Sequence, residues 1–457
     1  MPDTPSPIPQ KPTKDTVNYV LGLLGRQRPT TVRDCTTDED IEDPTFLQFD
    51  TMATQTTQMT NVEDELFTET IESQRETEEV VKQIFDQYLE SGETPHLYKK
   101  KHTKYLNMAL GPLPHMFKSL DASQPWLVYW VCNALAILGE NVESEKRELI
   151  IKRLLSMQHE DGGFCGGMGQ LAHLAPSYAA VLSFALLDDE EAWAKIDRAK
   201  MYKWLMSLKR SDGAFVMHLG GEHDTRSAYC ALVIASLLDI ITPELVEGTA
   251  EWLGRCQTFE GGFGGVPYDE AHGGYTFCGT AALMILGKDV LHRVIKLEPL
   301  IEWVTARQMK LEGGFSGRSN KLVDGCYSYW VGGAVPILEV LTGSEIMSRA
   351  SLQNYILTCC QNDQYGGLRD KPPMNADFYH TNYVLLGLSV AQNRFTMVEN
   401  QNLANKSDIA AYSIQSRPAN VTSVVVSEED VLVPLDPVFA LPAGAAEKMK
   451  LFFMSQK

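Results

Sequence analysis

The sequence contains no apolar run long enough to span a bilayer and opens with no secretory signal, so it offers no argument for a membrane span or for export. It is also short of basic charge. Its 40 Lys and Arg stand against 59 Asp and Glu, a formal net charge of −19, which argues against nucleic acid as the main partner because phosphate neutralisation needs a cationic excess. An anionic ligand would have to meet a local basic patch. The nine cysteines fall in no paired spacing, so disulfides are not expected and the predicted setting is a reducing, cytoplasmic one. The sequons at Asn405 and Asn420 are then incidental.

What the sequence has is repetition. Five glycine signals recur: Gly162-Gly163-Phe164, Gly213-Ala214-Phe215, Gly261-Gly262-Phe263, Gly313-Gly314-Phe315 and Gly366-Gly367-Leu368. Their closing residues are 51, 48, 52 and 53 residues apart. A period of this size marks stacked supersecondary units. An amphipathic stretch such as Trp204-Leu205-Met206-Ser207-Leu208 precedes each signal. A run without a strong polar face, such as Ser227-Ala228-Tyr229-Cys230-Ala231, follows it. The first pattern predicts an outer helix and the second a buried inner helix, joined by a turn that needs glycine. The expected fold is all-α, an alpha-alpha barrel of helical hairpins closed into a toroid, and a hydrophobic fraction of 44% is ample for its core.

The ends differ from the middle. Residues 1–61 form an acidic, Thr/Pro-rich leader expected to be disordered. Residues 62–400 are assigned to the barrel, with a first helix expected over about Glu76–Glu90, and Lys99-Lys100-Lys101-His102 reads as a solvated face. Residues 401–457 are expected to pack back on the barrel as a tail ending in a helix near Ala445–Phe453.

Aligned on their closing residues, the units place charged and polar groups at one recurring level. Nine to twelve residues on come Asp224 and Arg226, then His272 and Tyr275, then Asp324 and Cys326, then His380. Equivalent units would bring these side chains to one mouth of the toroid. Asp324, Cys326 and His380 then offer a carboxylate, a thiolate and an imidazole, all ligand types of zinc, with a fourth position open. Arg318, Lys321, His272 and Tyr327 would form a cationic cradle for a phosphate or diphosphate. Trp126, Trp130, Tyr178, Tyr229, Tyr275, Trp330, Tyr379 and Tyr383 could line an apolar pocket beside it. Each residue taken singly is more often core or surface; Cys132, Cys230, Cys278 and the Cys359-Cys360 pair read as core packing.

The runs Asp324-Gly325-Cys326-Tyr327-Ser328, Asp377-Phe378-Tyr379-His380-Thr381, His272-Gly273-Gly274-Tyr275-Thr276-Phe277-Cys278 and Pro125-Trp126-Leu127 with Tyr129-Trp130 carry a resemblance. Over residues 62–390 the chain resembles the beta subunits of protein farnesyltransferases, and Asp436-Pro437-Val438-Phe439 matches loosely beyond. The resemblance implies a heterodimer with a farnesyltransferase alpha subunit, C-a-a-X protein substrates such as small GTPases, and farnesyl diphosphate as co-substrate. It implies zinc on Asp324, Cys326 and His380, and catalytic roles for Tyr327 and Lys321. The diphosphate falls to His272, Arg318, Lys321 and Tyr327, and magnesium to Asp370. The isoprenoid surroundings fall to Arg226, Tyr229, Tyr275, Cys278 and Trp330. Ser123, Trp126, Trp130, His173, Ala175, Pro176 and Tyr379 fall on the peptide side.

The resemblance also implies that bulk at Trp126 and Tyr383 favours farnesyl; the alternative is a type I geranylgeranyltransferase beta subunit. Two other classes compete. A terpene cyclase also uses Gly-rich helical repeats, and Asp34-Cys35-Thr36 superficially matches a cyclase acid motif but lies in the leader. A helical scaffold with structural zinc would consume no diphosphate.

Overall fold

The computed structural model describes residues 68–399, 412–419 and 428–456. Most of the leader, the Asp34-Cys35-Thr36 triplet and both sequon asparagines lie outside the described residues. Helix α1 (Glu69–Ser91) begins earlier than its apolar pattern alone indicates, because Thr68 Oγ1 accepts the Ile71 N–H and caps it.

Six outer and inner helix pairs follow among the described residues: α2 (Lys99–Ala109) with α3 (Gln124–Ile137), α4 (Ser144–Leu155) with α5 (Leu174–Leu187), α6 (Arg198–Leu208) with α7 (Thr225–Leu237), α8 (Thr249–Arg255) with α9 (Gly273–Leu286), α10 (Leu297–Ala306) with the broken pair α11 (Tyr327–Trp330) and α12 (Ala334–Thr342), and α13 (Arg349–Tyr355) with α14 (Phe378–Gln392). The first pair carries no Gly-Gly signal and so is invisible to the repeat. Inner helices are buried almost throughout; along α5 only Ala175 and Leu186 escape full burial. Each packs on the next, and α14 packs on α3, so the ring closes.

Glycine is needed where hairpins meet. Gly162 has φ +124°, and a Cβ there would lie 2.3 Å from the Lys200 backbone in the next outer helix. Gly366, with φ +81°, would meet the Lys101 carbonyl at the same 2.3 Å, so the fifth signal docks on the first outer helix. This corrects the reading of Lys99–His102 as a wholly solvated face. His102 is fully buried, its Nε2 lies 2.9 Å from Gln361 Oε1, and its Nδ1 accepts the Gly367 N–H at 2.9 Å. Burial lowers its pKa to about 4, against a smaller opposing effect of Gln361, so the ring is neutral when it joins the two ends of the repeat.

A hydroxyl pins four of the five signals to the inner helix. Ser177, Thr276 and Thr381 accept the N–H groups of Phe164, Phe263 and Leu368, and Ser227 donates to the Phe215 carbonyl. In the fourth unit the corresponding Ser328 Oγ is buried without a partner. There the inner helix breaks after Trp330, at Val331-Gly332-Gly333. Gly387 of α14 approaches so closely that a Cβ would lie 2.3 Å from that of Ser328. The irregular unit is the one that carries Asp324 and Cys326.

Beyond α14 the chain forms an antiparallel hairpin of β1 (Asn393–Glu399) and β2 (Tyr412–Pro418), an addition to the all-helical expectation. The tail then crosses the toroid, from the C-terminal end of α3 to the tyrosines of three inner helices. Val433 donates to the Ile137 carbonyl at 2.9 Å. The hydroxyls of Tyr329, Tyr229 and Tyr129 donate to the carbonyls of Pro437, Val438 and Ala440 at 3.0, 2.7 and 2.8 Å. Helix α15 (Ala445–Ser455) packs on α5 and α7.

Candidate functional site

The N-terminal ends of the inner helices gather at the other mouth. His173, Asp224, His272 and Asp377 cap α5, α7, α9 and α14 through their side chains. Asp324 makes the corresponding contact in the irregular unit, its Oδ1 accepting the Cys326 N–H at 2.8 Å. All five stand nine residues after the closing residue of their glycine signal. Capping thus fixes both their height and their direction, because the side chain must turn back over the helix end.

Asp324, Cys326 and His380 present ligand atoms that all lie within 4.8 Å of one another. His380 Nε2 is 3.3 Å from Asp324 Oδ1, while its Nδ1 is 2.7 Å from Asp377 Oδ2. Burial opposes a charge on His380, but the two carboxylates outweigh it and raise its pKa to about 10. Burial raises Asp324 in turn, yet the hydrogen bond to His380 leaves its pKa below the ordinary carboxylate value. The Cys326 thiol is pushed well up, by burial first and by the Asp324 charge second. A thiol so placed ionises only beside a cation, and carboxylate, thiolate and imidazole are the donors zinc takes. Asp377 supplies the outer carboxylate that orients a ligating imidazole. The donor set fits a metal ion.

Beside this cluster His272 Nδ1 accepts the Gly274 N–H at 3.0 Å, and its Nε2 lies 3.1 Å from the Tyr327 hydroxyl. Burial and the nearby Arg318 lower its pKa, which leaves a neutral ring with the proton on Nε2. Arg318 reaches the same rim but is paired with Glu270 at 3.0 Å. Lys321 is exposed and has no ion pair among the described residues. Asp370 is held by Lys371 at 2.6 Å; burial, then the Asp324 charge, raise its pKa.

The aromatic side chains form an unbroken loop around the interior. Trp126, Tyr178, Tyr229, Phe277, Trp330, Tyr383, Tyr379 and Trp130 follow one another with ring centroids 4.5–5.7 Å apart, and Trp130 returns to Trp126. Trp330 Nε1 donates to the Tyr379 hydroxyl at 2.9 Å, and that hydroxyl also meets the Cys326 thiol. The loop therefore touches the metal-ligand cluster. Tyr275 stands outside it, at the rim, 5.3 Å from His272 and 5.6 Å from the Arg226 guanidinium. Arg226 pairs with Asp224 at 2.6 Å, and Cys278 is buried beneath. At the starts of α5 and α3, His173 Nδ1 accepts the Ala175 N–H and Pro176 is buried; Ser123 precedes α3 without capping it.

Three participants were given no role in the sequence reading: Asp377, Glu270 and Phe277. The register of nine residues would have found Asp377, since His173, Asp224, His272 and Asp324 share it. Nothing in the spacing marks Glu270, which meets Arg318 only because the third and fourth units are neighbours.

The sequence profile of the prenyltransferase alpha-alpha toroid domain matches residues 97–441. The protein farnesyltransferase subunit beta of Pyricularia oryzae is 41% identical over 436 residues, covering 88% of this chain and 84% of its own. That of Schizosaccharomyces pombe is 43% identical over 379 residues, covering 80% and 93%. Among solved structures, Candida albicans protein geranylgeranyltransferase-I complexed with GGPP superposes with a TM-score of 0.60 at 22% identity, over 79% of this chain and 99% of that one, a likeness of fold. The chain belongs to the prenyltransferase alpha-alpha toroid family, among the beta subunits of protein farnesyltransferases.

Proposed function

We propose that this chain is the catalytic beta subunit of a cytoplasmic protein farnesyltransferase. Paired with an alpha subunit, it moves the farnesyl group of farnesyl diphosphate to the cysteine thiol of C-a-a-X carboxyl termini, such as those of small GTPases. The observation that supports this most is the meeting, at one mouth, of the Asp324–Cys326–His380 cluster, the His272–Tyr327 pair and the aromatic loop. A scaffold has no use for the second and third of these.

Asp324, Cys326 and His380 would hold zinc. When bound, zinc lowers the pKa of the substrate thiol so that a thiolate is available near neutral pH. The chain's own residues act on the other partner. The aromatic loop takes up the isoprenoid, and the Trp126 and Tyr383 rings limit its length to three isoprene units. His272 Nε2–H, the Tyr327 hydroxyl, Arg318 and Lys321 donate to the diphosphate oxygens. As the sulfur–C1 bond forms and the C1–oxygen bond breaks, negative charge grows on the departing diphosphate, and these fixed donors stabilise it. The thiol proton goes to solvent. Asp370 is the carboxylate suited to magnesium beside that leaving group. His173, Ala175, Pro176, Ser123, Trp126, Trp130 and Tyr379 would position the peptide.

The test is a competition assay on the chain co-purified with an alpha subunit. Farnesyl and geranylgeranyl diphosphates are offered together with a C-a-a-X peptide, with and without zinc. Zinc-dependent farnesyl transfer is expected. Preferred geranylgeranyl transfer would move the chain to the alternative type I geranylgeranyltransferase reading, and absence of transfer would overturn both.

A further inference from the structure

The cationic side chains of the rim are mostly engaged within the chain itself. Arg226 is held by Asp224, Lys371 by Asp370 and Arg318 by Glu270. The three carboxylates differ in freedom. Asp224 is buried and tied into the capping box of α7 with Ser227, and Asp370 is the immediate neighbour of its lysine. Glu270 is 49% exposed, stands in the loop before α9, and grips Arg318 through a single contact of 3.0 Å, Oε2 to Nη1. Arg318 is close enough to His272 to lower its pKa. The Arg318–Glu270 pair thus stands beside His272, whose ring feels both charges.

We infer that Glu270 is a displaceable internal competitor for the diphosphate, an inference that rests on the function proposed above. Carboxylate and phosphate oxygens are alternative partners for the same guanidinium donors. An incoming diphosphate takes Arg318 from Glu270, and Glu270 recovers it when inorganic pyrophosphate departs. The carboxylate therefore weakens capture of the substrate and hastens loss of the product, by breaking one ion pair and by repelling the ligand's charge.

Titration of the heterodimer with farnesyl diphosphate, and separately with inorganic pyrophosphate, tests this in wild type and Glu270→Gln. Both dissociation constants are expected to fall by the same factor, about two- to fivefold, the range spanned by an exposed ion pair. The gain should shrink at about 1 M salt, where such charges are screened. Unchanged or weakened binding of either ligand overturns the inference. Glu251→Gln removes an equal charge from the outer-helix pair with Arg293 and is expected to change neither constant. Equal tightening by Glu251→Gln would reduce the effect to net charge and sink the inference. A wild-type heterodimer that binds no farnesyl diphosphate overturns the farnesyl reading, and this with it.

Discussion

Asp377 grips His380 twice: its Oδ1 accepts the histidine's backbone N–H at 2.7 Å, and its Oδ2 lies 2.7 Å from the ring Nδ1. One carboxylate starts helix α14 and aims Nε2 at Asp324. The two tasks can be separated. Asn caps helices as well as Asp does but brings no charge to the imidazole. Asp377→Asn is expected to lower metal affinity about ten- to hundredfold with little change in thermal midpoint. Competition with a chromophoric chelator checks the first and thermal denaturation the second; an unaltered affinity would show that the ring needs no orienting charge.

Cys326 is the cluster's only thiol and is 4% exposed. Cys326→Ala is expected to lose bound zinc and peptide farnesylation together, measured by atomic spectroscopy and product assay on the heterodimer. Full transfer without metal would remove Cys326 from the metal site.

Gly317 lies under the Tyr327 ring, and a Cβ there would stand 2.0 Å from its Cζ. Gly317→Ala must push the phenol away from His272. The expected result is a raised KM for farnesyl diphosphate with metal content unchanged, and an unaffected KM would show that this phenol is dispensable for diphosphate binding.

Trp126 contacts Trp130 and Tyr178 in the aromatic loop, and Tyr129 beside it. Trp126→Thr removes the bulk at that point and is expected to broaden use toward geranylgeranyl diphosphate, read as a ratio of kcat/KM values. A constant ratio would assign the length limit to another wall.

Glu312 is buried beneath α1, where its Oε1 accepts from Gln74 and its Oε2 has no partner. Burial raises its pKa from 4.5 to about 7. The folded state thus holds the proton more tightly than the unfolded chain. That stabilisation is full below about pH 4.5 and is lost as pH rises through about 7, amounting to about 3 kcal/mol. Glu312→Gln should therefore be more stable than wild type at pH 8 and similar to it near pH 5, as followed by denaturant unfolding. The same difference at both pH values would rule out titration of Glu312.

The repeat was legible because glycine is irreplaceable where hairpins touch. Gly162 and Gly366 leave a mark in the sequence that survives divergence around them. The level of Asp224, His272 and Asp324 was legible for a related reason, since capping ties chemistry to the helix start. Other features leave no such trace. His102 sits in a run of lysines that hides its burial, and its partners lie 259 and 265 residues away. The break after Trp330 was not foreseen, although Gly332-Gly333 stands there, because glycines abound in every unit. The tail's crossing of the toroid depends on the hydroxyls of Tyr129, Tyr229 and Tyr329, and the sequence assigned Tyr229 to the isoprenoid surroundings and gave no role to the other two hydroxyls. Glu270 became visible only as a neighbour in space.

The clasp at His102 also governs how the molecule can be made. Synthesis proceeds from the N-terminus, and α2 emerges long before Gln361 and Gly367 exist. Until they do, the ring is an open arc whose inner helices show water their apolar inner faces, α5 and α7 among them. Such surfaces attract other chains, and contacts between distant parts of a sequence form slowly. The nascent chain therefore carries an unclosed hydrophobic groove through most of its translation, and the groove is sealed only once the α13–α14 pair has followed.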